Sequence, residues 1–304
     1  MKLPILFIVG PTASGKTKLS IELAKKFNAE IISSDSRQIY KFMTIGTAKP
    51  SENEMSGIPH HFIDELTPDQ SFSAGDFQKQ AYERITKIYS RNSNIIITGG
   101  SGLYISALRD GIADIPKDDE TRDKIMKRLE QEGSAKLFQE LKSVDEKAAL
   151  TMDETKTQRL VRALEVFHFT GRPISEWQSD ESYQFDFPNV TIGLNCDRDI
   201  LYEKINKRVD QMISDGLENE VLNLKSLGYN RKMNALRTVG YDEMFDYMEY
   251  QISKTEMLEK IKQHSRNYAK RQLTWFRKDP KINWLDSLHE NLTDEAEKIW
   301  IGKI

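Results

Sequence analysis

Gly10-Pro11-Thr12-Ala13-Ser14-Gly15-Lys16-Thr17 satisfies G-x-x-x-x-G-K-[ST] and sits where an apolar run gives way to a helical pattern, the context that this motif requires. Its glycines let the backbone wrap an anion, so that successive N–H groups and the start of the following helix face phosphate oxygens. Lys16 adds a mobile positive charge, and Thr17 can place its hydroxyl on Mg²⁺. The loop selects a phosphate chain and not a reaction: a nucleotide, a sugar or a diphosphate ester would each fit.

The other strand ends must decide among them. A hydrolase or motor built on such a loop holds its metal with an acidic residue at the end of a second buried strand. Here the run Asn94 to Thr98 ends in Gly99-Gly100-Ser101-Gly102, without a carboxylate. The carboxylate comes instead after another strand, in Ser34-Asp35-Ser36-Arg37-Gln38-Ile39-Tyr40, at the carboxyl edge where open α/β sheets bind ligands. Asp35 can accept a proton or orient an acceptor there; the plainer role for such an aspartate is a turn or helix cap.

These residues need a scaffold. Five apolar runs bounded by turn residues read as buried strands: Leu3 to Val9, Glu30 to Ser33, Asn94 to Thr98, Val190 to Asn195 and Ile282 to Leu285. Leu19, Leu23 and Phe27, and then Phe77, Ala81, Ile85 and Ile88, mark amphipathic helices between them. Alternation of strand and helix predicts an α/β fold, a P-loop NTPase-like parallel sheet flanked by helices. Residues 114–186 differ, with helical periodicity (Ile125, Leu129, Leu137, Leu141, Leu160, Leu164, Phe167) and no convincing strand; Gly133 and Gly171 stand as stops. They read as an inserted helical lobe, leaving residues 1–113 and 187–304 as the core.

In 304 residues, 44 Lys and Arg stand against 47 Asp and Glu, a net charge of −3, so no global field draws the chain to a polyanion. Contact with nucleic acid must be local. The single cysteine, Cys196, excludes an internal disulfide framework and a multi-thiolate zinc site and fits a reducing compartment. No apolar run approaches the ~20 residues of a membrane span, and the amino terminus reads straight into a strand; the expected setting is the cytoplasm.

Two local patches stand out. The segment from Ile261 to Lys278 carries Lys262, Arg266, Lys270, Arg271, Arg277 and Lys278 with no acidic residue, interleaved with Tyr268, Trp275 and Phe276, a pattern suited to phosphates with bases nearby. A helix with Gln158, Arg159 and Arg162 sets two arginines three apart on one face. Either can equally be a solvated helix face. His60 and His61 read as structural, since adjacent side chains in a strand point opposite ways; the methionines read as core filler, and Cys196 as inert.

Several segments coincide with those of one family. The phosphate loop, Asp35 to Tyr40, Ile45-Gly46-Thr47-Ala48-Lys49-Pro50, Pro59-His60-His61 and Gly99-Gly100-Ser101-Gly102-Leu103-Tyr104 occur in the family's order, followed by Arg162-Ala163-Leu164-Glu165-Val166 and Lys270-Arg271-Gln272-Leu273-Thr274-Trp275-Phe276. Together they resemble the tRNA dimethylallyltransferases, also called tRNA isopentenyltransferases, over residues 3 to about 285. Ending soon after Trp284, without a zinc-finger extension, the chain is similar to the bacterial type.

The resemblance implies transfer of a dimethylallyl group from its diphosphate to the exocyclic amine of the adenosine 3′ of the anticodon, in tRNAs reading codons that begin with U. It implies Asp35 as the base that relieves the amine of a proton. Lys16 and the amides of Thr12 to Thr17 would stabilise the leaving diphosphate, with Mg²⁺ held in part by Thr17. Ser101 and Arg237 are placed near the reacting groups, with Ser101 where a threonine is common. Ser36, Arg37 and Gln38 would meet the extruded adenosine. Arg122 and Gln158-Arg159-Leu160-Val161-Arg162 would make the lobe a clamp on the anticodon arm, and Lys270, Arg271 and Arg277 would add tRNA contacts. The expected partners are the tRNA anticodon arm and dimethylallyl diphosphate, with no membrane, and the protein is expected to be a monomer. Two rival readings of the residues are a small-molecule or nucleoside kinase and a nucleotide-gated RNA-binding protein.

Overall fold

The computed structural model describes residues 2–91, 93–178 and 185–302. The chain forms two compact units, one from Met1–Leu108 with Asp186–Ile304 and the other from Arg109–Phe185. Residues 179–184, which the sequence places at the far end of the lobe, lie outside the described residues.

The first unit is built on β1 (Ile5–Val9), β2 (Ala29–Ser33), β3 (His60–His61), β4 (Asn94–Gly99), β5 (Asn189–Asn195) and β6 (Asn283–Asp286), in the order β3-β2-β4-β1-β5-β6. Every pairing is parallel. Helices cover such a sheet on both faces, so its inner strands are apolar throughout, as Ile-Leu-Phe-Ile-Val of β1 is, and all five of its residues are buried. The five expected strands are present with ends shifted by one or two residues. β1 begins after Pro4, which has no N–H for a ladder; the first bond is Ile5 N–H to Pro188 O at 2.8 Å. β3 escapes a sequence reading because two residues carry no period.

The Lys16–Phe27 helix lays Leu19 and Leu23 on Leu6, Ile8, Ile96 and Ile192 of the sheet, together with Trp300 from the Leu292–Ile301 helix. Trp300 sets its ring 5.0 Å from that of Phe27 and donates its indole N–H to Pro4 O at 2.7 Å, so burial leaves no orphan donor. Because β1 is flanked by β4 on one side and β5 on the other, a crevice opens beyond its carboxyl end.

Described residues of the second unit form helices and turns, including Asp119–Glu132, Ser134–Val144 and Thr157–Thr170, around Leu137, Leu141, Leu160, Val161 and Leu164. Asp118 caps the first of these through the Thr121 N–H, and the last ends at Gly171, whose φ of 72° favours glycine. Gly133, also at positive φ, separates the first two, so both expected stops fall at helix ends. Among the described residues, no helix is long and apolar enough to cross a membrane.

Candidate active site

The phosphate loop leaves β1 at Gly10, where a Cβ would lie 2.7 Å from Leu194 O, so only glycine passes. Ala13 (φ 63°) and Gly15 (φ 87°) complete the curl. Gly15 begins the Lys16–Phe27 helix without a side-chain cap, leaving first-turn N–H groups directed out of the helix end, where the helix dipole favours an anion. Lys16 folds back over the loop and donates to Pro11 O at 2.6 Å. Burial pushes its ammonium down to about 7, with Arg208 adding like-charge repulsion and Asp35 opposing both.

The loop floors a cavity of about 1350 Å³. Its walls include Asp35 to Gln38 after β2, the Thr44 to Pro50 segment, Thr98 to Gly100 at the end of β4, and Arg237 to Gly240 with Asp242. Arg208 enters from the Arg198–Ser214 helix, and Tyr268, Arg271 and Gln272 from the Lys254–Phe276 helix. Asp35 sits in a turn: one carboxylate oxygen accepts the N–H of Arg37 at 2.8 Å and of Gln38 at 3.3 Å, an Asx arrangement that fixes the side chain. Gln38 donates its amide to Thr47 O (3.3 Å) and Ala48 O (3.2 Å) and accepts from the Ser33 hydroxyl. Arg37 donates to Asn234 O at 2.9 Å and Arg237 O at 3.4 Å, tying this turn to the segment that carries Arg237.

Three residues of this arrangement, Arg208, Gln272 and Glu220, were not singled out by sequence. Arg208 lies three residues beyond Ile205 on the inward face of its helix; burial pushes its guanidinium below its usual range, and Asp35 opposes this. Gln272 shares a buried face with Ile261, Ala269 and Phe276 and accepts the Thr12 N–H at 2.9 Å, so that amide already has a partner. Glu220 accepts the N–H groups of Thr44 (2.8 Å), Ile45 (2.7 Å) and Gly46 (3.0 Å), and the Tyr241 hydroxyl at 2.6 Å. A Cβ on Gly46 would stand 2.4 Å from the Tyr241 ring, so glycine is what lets that loop close. The usable signal was a charged or amide side chain at a core-facing helical position.

Of the residues singled out by sequence, Lys16, Thr17, Asp35, Ser36, Arg37, Gln38, Arg237 and Arg271 line the cavity, while Ser101 does not, standing next to Gly100 before the Gly102–Asp110 helix. Lys270 and Arg277 are exposed. In the helical unit, Leu160 and Val161 have no exposed surface, which corrects the expectation that their side chains touch tRNA; Arg159 is exposed. Glu165, 2% exposed, pairs with Arg162 and with Arg122 at 3.2 Å, while Arg122 also donates to Gln158 at 3.2 Å. His61 bonds the Glu30 carboxylate at 2.9 Å and His60 the Ile58 carbonyl at 2.8 Å, and among the described residues no three His, Cys, Asp or Glu side chains group as a metal site. Cys196 is buried against Leu201, Ile205 and Ala269.

The donors near the loop suit a hard cation shared with phosphate oxygens: the Thr17 hydroxyl, the Asp35 carboxylate, and the hydroxyls of Ser14 and Thr98, which line the cavity, are buried and lack a protein partner.

A parallel sheet whose first strand runs into G-x-x-x-x-G-K-T at a switch in strand order, with the cavity on that loop, defines a P-loop-type α/β protein. A model of the family described as IPP transferase matches residues 38–279. A tRNA dimethylallyltransferase of Thermoanaerobacter sp. (strain X514) is 46% identical over 313 aligned positions, covering 100% of this chain and 99% of the relative. The crystal structure of a tRNA isopentenylpyrophosphate transferase from Bacillus halodurans superposes with a TM-score of 0.72 at 39% identity, covering 99% of this chain and 97% of that one. The Staphylococcus epidermidis tRNA delta(2)-isopentenylpyrophosphate transferase gives 0.69 at 41% identity, over 98% of each. The chain belongs to the IPP transferase family, whose curated relatives bear the name tRNA dimethylallyltransferase.

Proposed function

We propose that the protein transfers a dimethylallyl group from dimethylallyl diphosphate to N6 of the adenosine 3′-adjacent to the anticodon, in tRNAs reading codons that begin with U, and releases diphosphate. The observation that carries this reading is one cavity with a phosphate loop on its floor and a fixed carboxylate, Asp35, on its wall. Phosphoryl transfer to a hydroxyl would use the same kind of loop and base; the prenyl reading is favoured over it because the relatives are named tRNA dimethylallyltransferases.

The diphosphate rests on the amides of Ala13 to Thr17, with Lys16 swinging from Pro11 O to the anion. Lys16 and Arg208 take up negative charge as it gathers on the leaving oxygens. The adenine, extruded from the anticodon loop, lies against the Asp35 wall. Its N6 lone pair forms the bond to the allylic C1 as the C1–O bond breaks, the electron pair departs with diphosphate, and the N6 proton passes to the Asp35 carboxylate. Base and orientation effects of this kind contribute roughly 10²–10⁴ in rate. Thr17, with oxygens of the diphosphate, would hold Mg²⁺, which supplies further charge neutralisation when bound.

Lys270, Arg271 and Arg277 face the tRNA backbone, and the Arg122, Gln158, Arg159 and Arg162 face of the helical unit grips the anticodon arm, Glu165 holding two of these arginines in place. The reading places the enzyme in the cytoplasm as a monomer. The kinase alternative has little support, since the relatives are named transferases of a prenyl group to tRNA. Two parallel incubations with tRNA test it, one with labelled dimethylallyl diphosphate and no ATP, the other with unlabelled dimethylallyl diphosphate and γ-labelled ATP: label must enter tRNA in the first. Label moving only from the γ-phosphate of ATP would establish the kinase instead.

A further inference from the structure

A phosphate loop by itself does not distinguish two phosphoryl groups from three, because its amides run along the whole curl and its lysine reaches whichever group lies outermost. In this protein the strand end of the curl is closed. Gln272, 6% exposed, places Oε1 2.9 Å from the Thr12 N–H and donates from Nε2 to Gly100 O at 2.9 Å. The two bonds fix the orientation of the amide, since a flip would set N–H against N–H and oxygen against oxygen. Gly100 is part of the device: a Cβ there would lie 2.0 Å from the Gln272 nitrogen, so the glutamine fits only because residue 100 has no side chain.

An anion extending from the helix end of the loop past Ala13 meets a carbonyl oxygen where another loop would offer an N–H. A third phosphoryl group there would have no donor from Thr12 and would be repelled by Oε1. Two phosphoryl groups, held from Ala13 to Thr17, avoid it. We propose that Gln272 is a specificity-determining residue that closes the strand end of the phosphate loop against a third phosphoryl group, so that the site selects a diphosphate over a triphosphate. The inference rests on reading the loop as the seat of the donor's phosphates and extends it to the number of phosphates accepted.

Inorganic pyrophosphate and inorganic tripolyphosphate, titrated calorimetrically into the full chain, read the loop without any prenyl chemistry. The unsubstituted protein is expected to prefer pyrophosphate. Gln272→Ala and Gln272→Met, the second keeping the bulk while removing the acceptor, are expected to lose roughly tenfold of that preference, about the worth of one amide-to-anion hydrogen bond. An unchanged ratio in a variant that still binds pyrophosphate overturns the proposal, as does a native preference for tripolyphosphate. Loss of pyrophosphate binding in both variants would make Gln272 a scaffold residue and also overturn it. If the unsubstituted protein binds neither anion, the phosphate-loop reading itself fails.

Discussion

The backbone N–H of Arg37 donates to Asp35 Oδ1 at 2.8 Å, and that bond, with a longer one from Gln38, anchors one oxygen of the carboxylate while the residue lines the cavity. The turn converts a flexible side chain into a fixed acceptor.

Asp35→Asn keeps an oxygen for the turn and removes the proton acceptor. Turnover is expected to fall by roughly 10²–10⁴ while tRNA affinity in a filter-binding assay stays near that of the unsubstituted protein. A variant that loses tRNA binding in proportion to turnover would show Asp35 to be a binding residue only.

Burial first, and then Arg208, hold the Lys16 ammonium down at about 7. At pH 8 it is mostly neutral, and a bound diphosphate must raise its pKa, so binding takes up a proton and weakens as pH rises above 7. Calorimetric titration in buffers of different ionisation enthalpy should show net uptake at pH 8, fading toward pH 6. Proton release at pH 8 would contradict the assignment.

Arg208→Ala removes both a cation for the leaving group and a like charge that depresses Lys16. KM for the diphosphate donor is expected to rise by about 10–100-fold, and the alkaline limb of its pH profile should move upward as the Lys16 pKa recovers. An unmoved limb would place Arg208 away from Lys16 during binding.

Glu220→Ala strips the acceptor from three loop N–H groups and the Tyr241 hydroxyl. The cost to stability in denaturant melts is expected to be about 1–3 kcal/mol. Gly46→Ala, whose methyl would overlap the Tyr241 ring, should cost a similar amount by overpacking. Full stability in both variants would mean that the loop is not held from that side.

Much of this site is local in sequence and was therefore readable. The loop from Gly10 to Thr17 is one continuous motif, and Asp35 stands at a strand end that an apolar run announces. Arg208, Glu220 and Gln272 each act through a fold contact spanning more than a hundred residues, as in the Thr12 to Gln272 bond, and nothing in their own neighbourhoods names the partner. Leu160 and Val161 show the opposite case: a contiguous motif does not make a contiguous contact surface, because a helix returns the same face every three to four residues and these two lie with Ala163 and Leu164 on the buried one. β3 was missed because a two-residue strand owes its existence to the β2 edge.

The central claim is tested most directly by nucleoside mass spectrometry on tRNA incubated with the purified protein and dimethylallyl diphosphate. The expected result is one isopentenyl group on the adenosine 3′ of the anticodon, with one pyrophosphate released for each group added and both products formed roughly 10²–10⁴ more slowly by Asp35→Asn. Unmodified tRNA, from a protein that binds both the donor and the RNA, would contradict the account.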